Sequence, residues 1–206
     1  MPCCQEGADI VLQIHYYKTG RIKRDLSRVG LYFSKAADPK RVYVDAAINT
    51  EFQIPTGAAK YQVKATWTEE EDVYAITVAP HMHLIGTDMK VDATFPDGRQ
   101  QEMIWIKDWD FNWQDAYQYK IPIFMPASTV VKAVGHFDNS AANSLNPNNP
   151  PKPIGWGEKT TDEMFIAFLG IIRAKDFTPE ATSTSHSGDL DEPLPRHAAA
   201  HPRQKV

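Results

Sequence analysis

Apolar and polar residues alternate along most of this chain with a period of two, the repeat of a strand with one face buried. The cleanest case is "AKYQVKATWTE" (59–69): Tyr61, Val63, Ala65 and Trp67 share one face, Lys60, Gln62 and Lys64 the other. β-Branched and aromatic runs of the same kind occupy 8–20, 28–36, 40–48, 50–57, 72–83, 118–127 and 129–140. The segment 87–110 reads as two strands, joined by a hairpin turn at "PDG" (96–98). One run differs: "DEMFIAFLGIIRA" (162–174) is apolar on both faces, which predicts a central strand covered on both sides. No long amphipathic helix and no internal repeat interrupts the series. Short strands with turn residues between them predict an all-β fold, an antiparallel sandwich.

Two stretches break the pattern. "NSAANSLNPNNPPKPIGWGEK" (139–159) is dense in Asn and Pro and reads as a long ordered or semi-ordered loop, a length that tends to carry function. Beyond Asp176 the periodicity ends, which predicts a disordered tail. At 206 residues and 42% hydrophobic content the chain can build one large β-domain. A net charge of −4 argues against a nucleic-acid partner or an acidic membrane surface. No apolar run approaches the ~18 residues of a membrane helix, and the opening residues lack the apolar region of a signal peptide. Cys3 and Cys4 are adjacent, so they cannot staple the fold to itself, and such a pair is a weak metal signal.

The residues with chemistry are few. His81 and His83, in "APHMHLIGTDMKV" (79–91), would share one face if their strand persists to residue 83, presenting two imidazoles side by side. That suits two cis ligands of copper, zinc, iron or nickel without choosing among them. The same pair also fits a strand end with one solvated imidazole and one bonded to a carbonyl. His15 lies on the face of Gln13 and Tyr17, as a half-buried strand histidine would. His136 suits a turn-stabilising side chain, Met164 alone suits core filling, and His186, His197 and His201 fall in the tail.

Four segments in order, "VLQIHYYKTG", "PHMHLIGTDMKV", "HFDNSAANSLNPNNP" and "WGEKTTDEM", resemble the copper type II, ascorbate-dependent monooxygenases. This family contains peptidylglycine α-hydroxylating monooxygenase and dopamine β-monooxygenase, and the likeness, over about residues 8–175, is closer to its bacterial members. The resemblance implies two sequential jelly-roll domains with a copper on each inner face. It implies that His81, His83 and Met164 hold the oxygen-binding copper, the thioether favouring Cu(I). His15 matches the third histidine of the electron-transfer copper in the N-terminal domain. The family's location is extracytoplasmic, periplasmic or secreted.

The departures from that pattern shape the expectation. The His-His pair of the first domain has no counterpart here. The expected organisation is therefore the last strands of a preceding copper domain (1–37), a complete second jelly roll (38–175) and the tail (176–206), with one copper site complete and the other incomplete. The residues that receive a peptide carboxylate in amidating members correspond to Ala79, Ile166 and Phe168, so the clamp is missing. His136 stands about where the family has a cysteine and is a candidate support for the site. The expectation is a copper-dependent monooxygenase domain, hydroxylating a C–H bond with ascorbate or another reductant. Its substrate, small molecule or side chain, is unspecified, and neither nucleic acid nor membrane is a partner. The alternatives are a non-catalytic copper-binding or interaction module, and a sandwich whose histidines hold no metal.

Overall fold

A computed structural model describes residues 9–12, 14, 16, 20–35 and 39–177. Ten strands occupy the second part: β1 (Tyr43–Ile48), β2 (Gln53–Ile54), β3 (Tyr61–Thr68), β4 (Val73–His81), β5 (Gly86–Thr94), β6 (Gln100–Ile106), β7 (Tyr117–Met125), β8 (Val130–Phe137), β9 (Ile154–Gly155) and β10 (Ile166–Arg173). Eight of them form two four-stranded antiparallel sheets, in the orders β1-β10-β4-β7 and β3-β8-β5-β6. This is the strand order of a jelly roll, and the predicted all-β antiparallel sandwich is what the chain forms. The short β2 and β9 pair separately.

The binary pattern explains the core. Val63 and Ala65 of β3 are buried, with Tyr61 and Trp67 packed against them, as the alternation requires. Met89, Val91 and Ala93 of β5, Val131 and Ala133 of β8, and Leu169 and Ile171 of β10 complete the layer between the sheets. β10 lies between β1 and β4, and its apolar second face follows from that central place. The predicted hairpin is present: Gly98, at φ 84°, donates its N–H to the Phe95 carbonyl (2.9 Å).

β4 carries an irregularity that positions everything beyond it. Its pairing with β10 runs Thr77↔Gly170 and then Ala75↔Ile171, leaving Ile76 as an extra residue, a β-bulge. Gly170 faces the bulge because a Cβ there would run into the Thr77 hydroxyl.

The long loop is ordered by one buried side chain. Asn139 Nδ2 donates to the Ile54, Pro55 and Lys152 carbonyls (3.3, 3.1 and 2.9 Å), tying the loop to β2, and its Oδ1 accepts from Asn146 (2.8 Å). At the C-terminal end, the 3-10 turn Ala174–Asp176 is followed by Phe177, whose ring lies 4.5 Å from that of Tyr74. The folded unit therefore extends past its expected limit at 175. The rest of the expected tail, with His186, His197 and His201, lies outside the described residues, as do Cys3 and Cys4.

The strand expected over 28–36 is not formed: residues 20–35 contain none, and Tyr32 is 97% exposed. Residues 20–35 are exposed throughout, so water can satisfy their N–H and C=O groups and no burial drives them to pair.

Gly135 of β8 admits the Phe165 ring, since a Cβ at 135 would come within 2.6 Å of Phe165 Cε2 and 2.9 Å of the Asp88 carbonyl oxygen. Gly135→Ala is expected to destabilise the fold by about 1–3 kcal/mol through overpacking. Urea denaturation checks this; an unchanged midpoint would show that Phe165 is free to move aside.

Candidate metal centre

The site begins where β4 ends. Val78, Pro80 and Met82 point into the core, so by alternation His81 lies on the sheet face turned away from it. β4 was expected to reach residue 83 but stops at His81. The two rings nevertheless remain together, with centroids 5.1 Å apart and planes at 84°. Met82, fully buried between them, anchors the turn, and Gly86 is required beside it because a Cβ would meet Met82 Cε at 2.9 Å.

A buried carboxylate replaces the missing ladder. Glu163 Oε2 accepts the N–H of His83 (2.8 Å) and Oε1 that of Ile85 (2.9 Å). Glu163 is 1% exposed. Burial pushes its carboxyl up, to about 8, while the backbone N–H groups of Ile85, His83 and Met164 pull the other way. Trp109 covers the same turn, its indole N–H donating to the His83 carbonyl (3.0 Å).

Each imidazole is oriented through Nδ1. His81 Nδ1–H donates to Gln114 Oε1 (2.6 Å), and His83 Nδ1–H donates to the Asp162 carbonyl (2.9 Å). Both acceptors are oxygens without a proton, so each ring carries a proton on Nδ1, and a neutral ring bonded this way presents its lone pair at Nε2. Desolvation holds the His81 imidazole below its ordinary pKa, its neighbour His83 adds to that, and the Gln114 bond opposes it. An imidazole whose Nδ1–H is held by an oxygen acceptor is oriented as metal-ligating histidines commonly are.

Met164 enters from β10. The ladder ends at the pair Ile166–His81, and Met164 lies two residues before it in the approach to β10. Glu163 and Phe165 on either side are fully buried, while Met164 is only half-buried, which places it on the outward face with Ile166. His81 and His83 are thus brought together, with Met164 at the neighbouring strand entrance. Among the described residues no group of three or more His, Cys, Asp or Glu could hold a metal ion.

Other candidates fall elsewhere. His15 lies outside the described residues. His136 sits on β8 opposite Gln62 and Asp88, bonding Asp88 Oδ1 through Nδ1 (2.9 Å) and Gln62 through Nε2 (3.0 Å). That is a cross-strand anchor within the other sheet rather than a support for either imidazole.

The supporting residues Gln114, Trp109, Asp162 and Glu163 were not foreseen. They come from the loop after β6 and the approach to β10, where no periodicity marks a functional side chain. Phe111 of that loop stands edge-on to His83 at 6.1 Å. Beside His81 a shallow cleft of about 230 Å³ is walled by Ala79, Pro80, Phe168 and Ala116, with Gln114 and Asp115 as its polar members.

Comparisons with known proteins add little. No family model matches the chain, and no curated protein matches it. Among solved structures, "Structure of infectious bursal disease virus Gx strain" is similar over 74% of this chain and 39% of its own, at 10% identity and a TM-score of 0.33. The chain therefore spans about two fifths of that structure, and a likeness this distant carries no argument.

Glu163→Gln should destabilise the fold by about 1–3 kcal/mol, because its amide nitrogen would face a backbone N–H that now has an acceptor. Denaturant melts of the metal-free protein measure this; equal stability would show that the turn at residues 82–85 holds itself.

Proposed function

We infer that this domain is an oxidoreductase of the copper monooxygenase kind, with His81, His83 and Met164 as the ligands of its oxygen-activating copper. The observation that carries the reading is the pair of anchored imidazoles, each held through Nδ1 by an oxygen acceptor. The ordered sequence motifs that resemble the copper type II, ascorbate-dependent family support it. So does the chemistry of the set: two borderline nitrogen donors and one soft thioether match copper better than zinc, magnesium or calcium. Copper bound there would supply the one-electron redox chemistry by which dioxygen is activated.

The chain's own residues do the rest. Gln114 and Asp162 orient the rings before any metal arrives. Phe111 and Trp109 shelter His83, which is 6% exposed. The cleft beside His81 receives the substrate. Ala79 and Phe168 are partners across β4 and β10, and the cleft offers an acidic group, Asp115, but no cation. A carboxylate substrate would enter without a counter-charge at a large desolvation cost. A neutral or cationic substrate with an exposed C–H bond fits better. Residues 1–37 are read as the remnant of a preceding copper domain, without strands over 20–35, and His15 as a remnant ligand of the electron-transfer copper. Ascorbate or a similar reductant would supply electrons, and the location would be extracytoplasmic. Among the described residues no helix is long and apolar enough to cross a membrane.

The direct test loads the full chain with copper and follows ascorbate-driven oxygen consumption. Oxygen uptake that disappears in both His81→Ala and His83→Ala supports the enzyme. Copper bound through the same residues without uptake favours a non-catalytic copper-binding module, and no copper bound at all overturns both.

Met164 separates a ligand from a filler. Met164→Leu is nearly volume-conserving and should cost the metal-free fold under ~1.5 kcal/mol. Cu(I) affinity should fall by about tenfold or more, and Cu(II) affinity by much less, because the imidazoles remain. Paired Cu(I) and Cu(II) titrations read the difference; an unchanged Cu(I) affinity would remove Met164 from the site.

A further inference from the structure

β1 is the end strand of its sheet, paired with β10 alone. Beyond its last residue the Asn49 N–H donates to the Phe165 carbonyl (3.1 Å), continuing the ladder. The odd-numbered residues of β1 therefore bond to β10, and Val44, Ala46 and Ile48 turn their N–H and C=O groups the other way. Val44 and Ile48 are 64% and 46% exposed. Such an edge is a template for another strand, and proline, lysine or a bulge usually guards it. β1, "YVDAAI", carries none of these: its register with β10 is unbroken. Beside it a cleft of about 520 Å³ separates β1 from the end of β3 in the other sheet, with Tyr43 and Trp67 among its walls.

The chain also holds a strand-forming segment with no sheet of its own. In "RVGLYF" (28–33), Val29, Leu31 and Phe33 recur with a period of two and are 55%, 44% and 79% exposed. Four cations lead into this stripe: Arg21, Lys23, Arg24 and Arg28. The one anion among them, Asp25, is engaged by the hydroxyls of Tyr16 and Ser27 (2.8 and 2.6 Å). The segment is thus basic at its start and apolar at its end.

Charge sets the direction in which the two would meet. Around the Tyr43 end of β1, the carboxylates of Asp45, Glu69, Glu70, Glu71 and Asp72 outnumber the cations Arg41, Arg173 and Lys175. At the Ile48 end the acid Glu51 is matched by Lys64. With its basic start at the Tyr43 end, the segment 28–33 runs parallel to β1. Within one chain only nine residues, 34–42, would then carry it back from Ile48 to Tyr43, and parallel neighbours need a crossover of about a dozen or more. The geometry points to strand exchange between two copies of this chain, residues 28–33 of each lying parallel on the outer edge of the other's β1. Val29, Leu31 and Phe33 turn to the cleft over Trp67, and the cations of 21–28 meet the acidic rim. Reciprocal exchange closes a two-fold dimer. The contact involves neither imidazole and is independent of the copper reading.

The experiment follows the full metal-free chain by analytical ultracentrifugation over a range of concentrations. A chelating, reducing buffer keeps metal and the Cys3–Cys4 thiols from linking molecules. A concentration-dependent dimer is expected, and it should weaken as salt is added. Ala46→Pro removes one outward N–H of β1 and leaves the bonds to β10 in place. Leu31→Asp puts a charge into the apolar stripe, outside the sandwich. Each should raise the dimer dissociation constant by about tenfold or more. An equimolar mixture of the two variants should associate more than either alone, because the segment of the Ala46→Pro chain still meets an intact β1 on the Leu31→Asp chain. If Ala46→Pro does not fold, Arg24→Glu is read in its place and should weaken the dimer in the same direction. A monomer at every concentration, including one whose own β1 protects residues 28–33 from hydrogen exchange, overturns the proposal. So does a dimer indifferent to Leu31→Asp, or a mixture no more associated than its components.

Discussion

One buried carboxylate holds the candidate metal centre together. The ladder between β4 and β10 stops at the pair His81–Ile166, and beyond it the two chains separate into turns. Glu163 spans that gap with two bonds to the backbone of His83 and Ile85, from a position that solvent does not reach. Because Met164 follows it directly and Asp162 precedes it, the same three-residue stretch supplies the clamp, the acceptor that orients His83 and the candidate thioether. The placement of the turn that carries His83 is therefore set by one local arrangement. Phe165, seated against Gly135, fixes that stretch to the opposite sheet.

What the linear pattern conveyed was the sandwich. Alternation over 59–69 assigned the inward face of β3 correctly, and the two-sided apolar run after residue 162 identified β10 as central, because burial on each face leaves a direct imprint on residue choice. The pairing of His81 with His83 was also visible, as a spacing. The reasons it persists were not. β4 ends two residues early, and the rings stay adjacent only through Glu163, Gln114 and Asp162, which lie 33 to 80 residues away in the chain. Hydrogen bonds over such separations leave no periodic trace. The segment 28–36 misled for a related reason: strand-forming composition says that a segment can pair, not that burial within its own chain drives it to do so.

The two ends of the sandwich have different electrostatic characters. Around His81 the walls are mostly apolar, and the polar groups are already engaged in orienting rings. Around Glu69 the charges outnumber their partners, and a buried oxygen is left over. The same jelly roll thus carries a preorganised donor pair at one pole and an unbalanced negative pocket at the other, with the interleaved core of β4, β5, β8 and β10 between them.

The extra residue Ile76 lets one strand present its histidines on one face and its apolar residues on the other along its whole length. Before it, Val73 and Ala75, odd in number, face the core; after it, Val78, Pro80 and Met82, even in number, do so. The bulge inverts the parity of the strand. Were Ile76 paired in regular alternation instead of bulged, the histidines would take the inward phase and Met82 the outward one. The outward phase of the imidazoles therefore turns on Ile76, five positions before the first of them, being looped out of the ladder. Removing Ile76 itself would leave a regular strand with Val78, Pro80 and Met82 still inward and the histidines still outward.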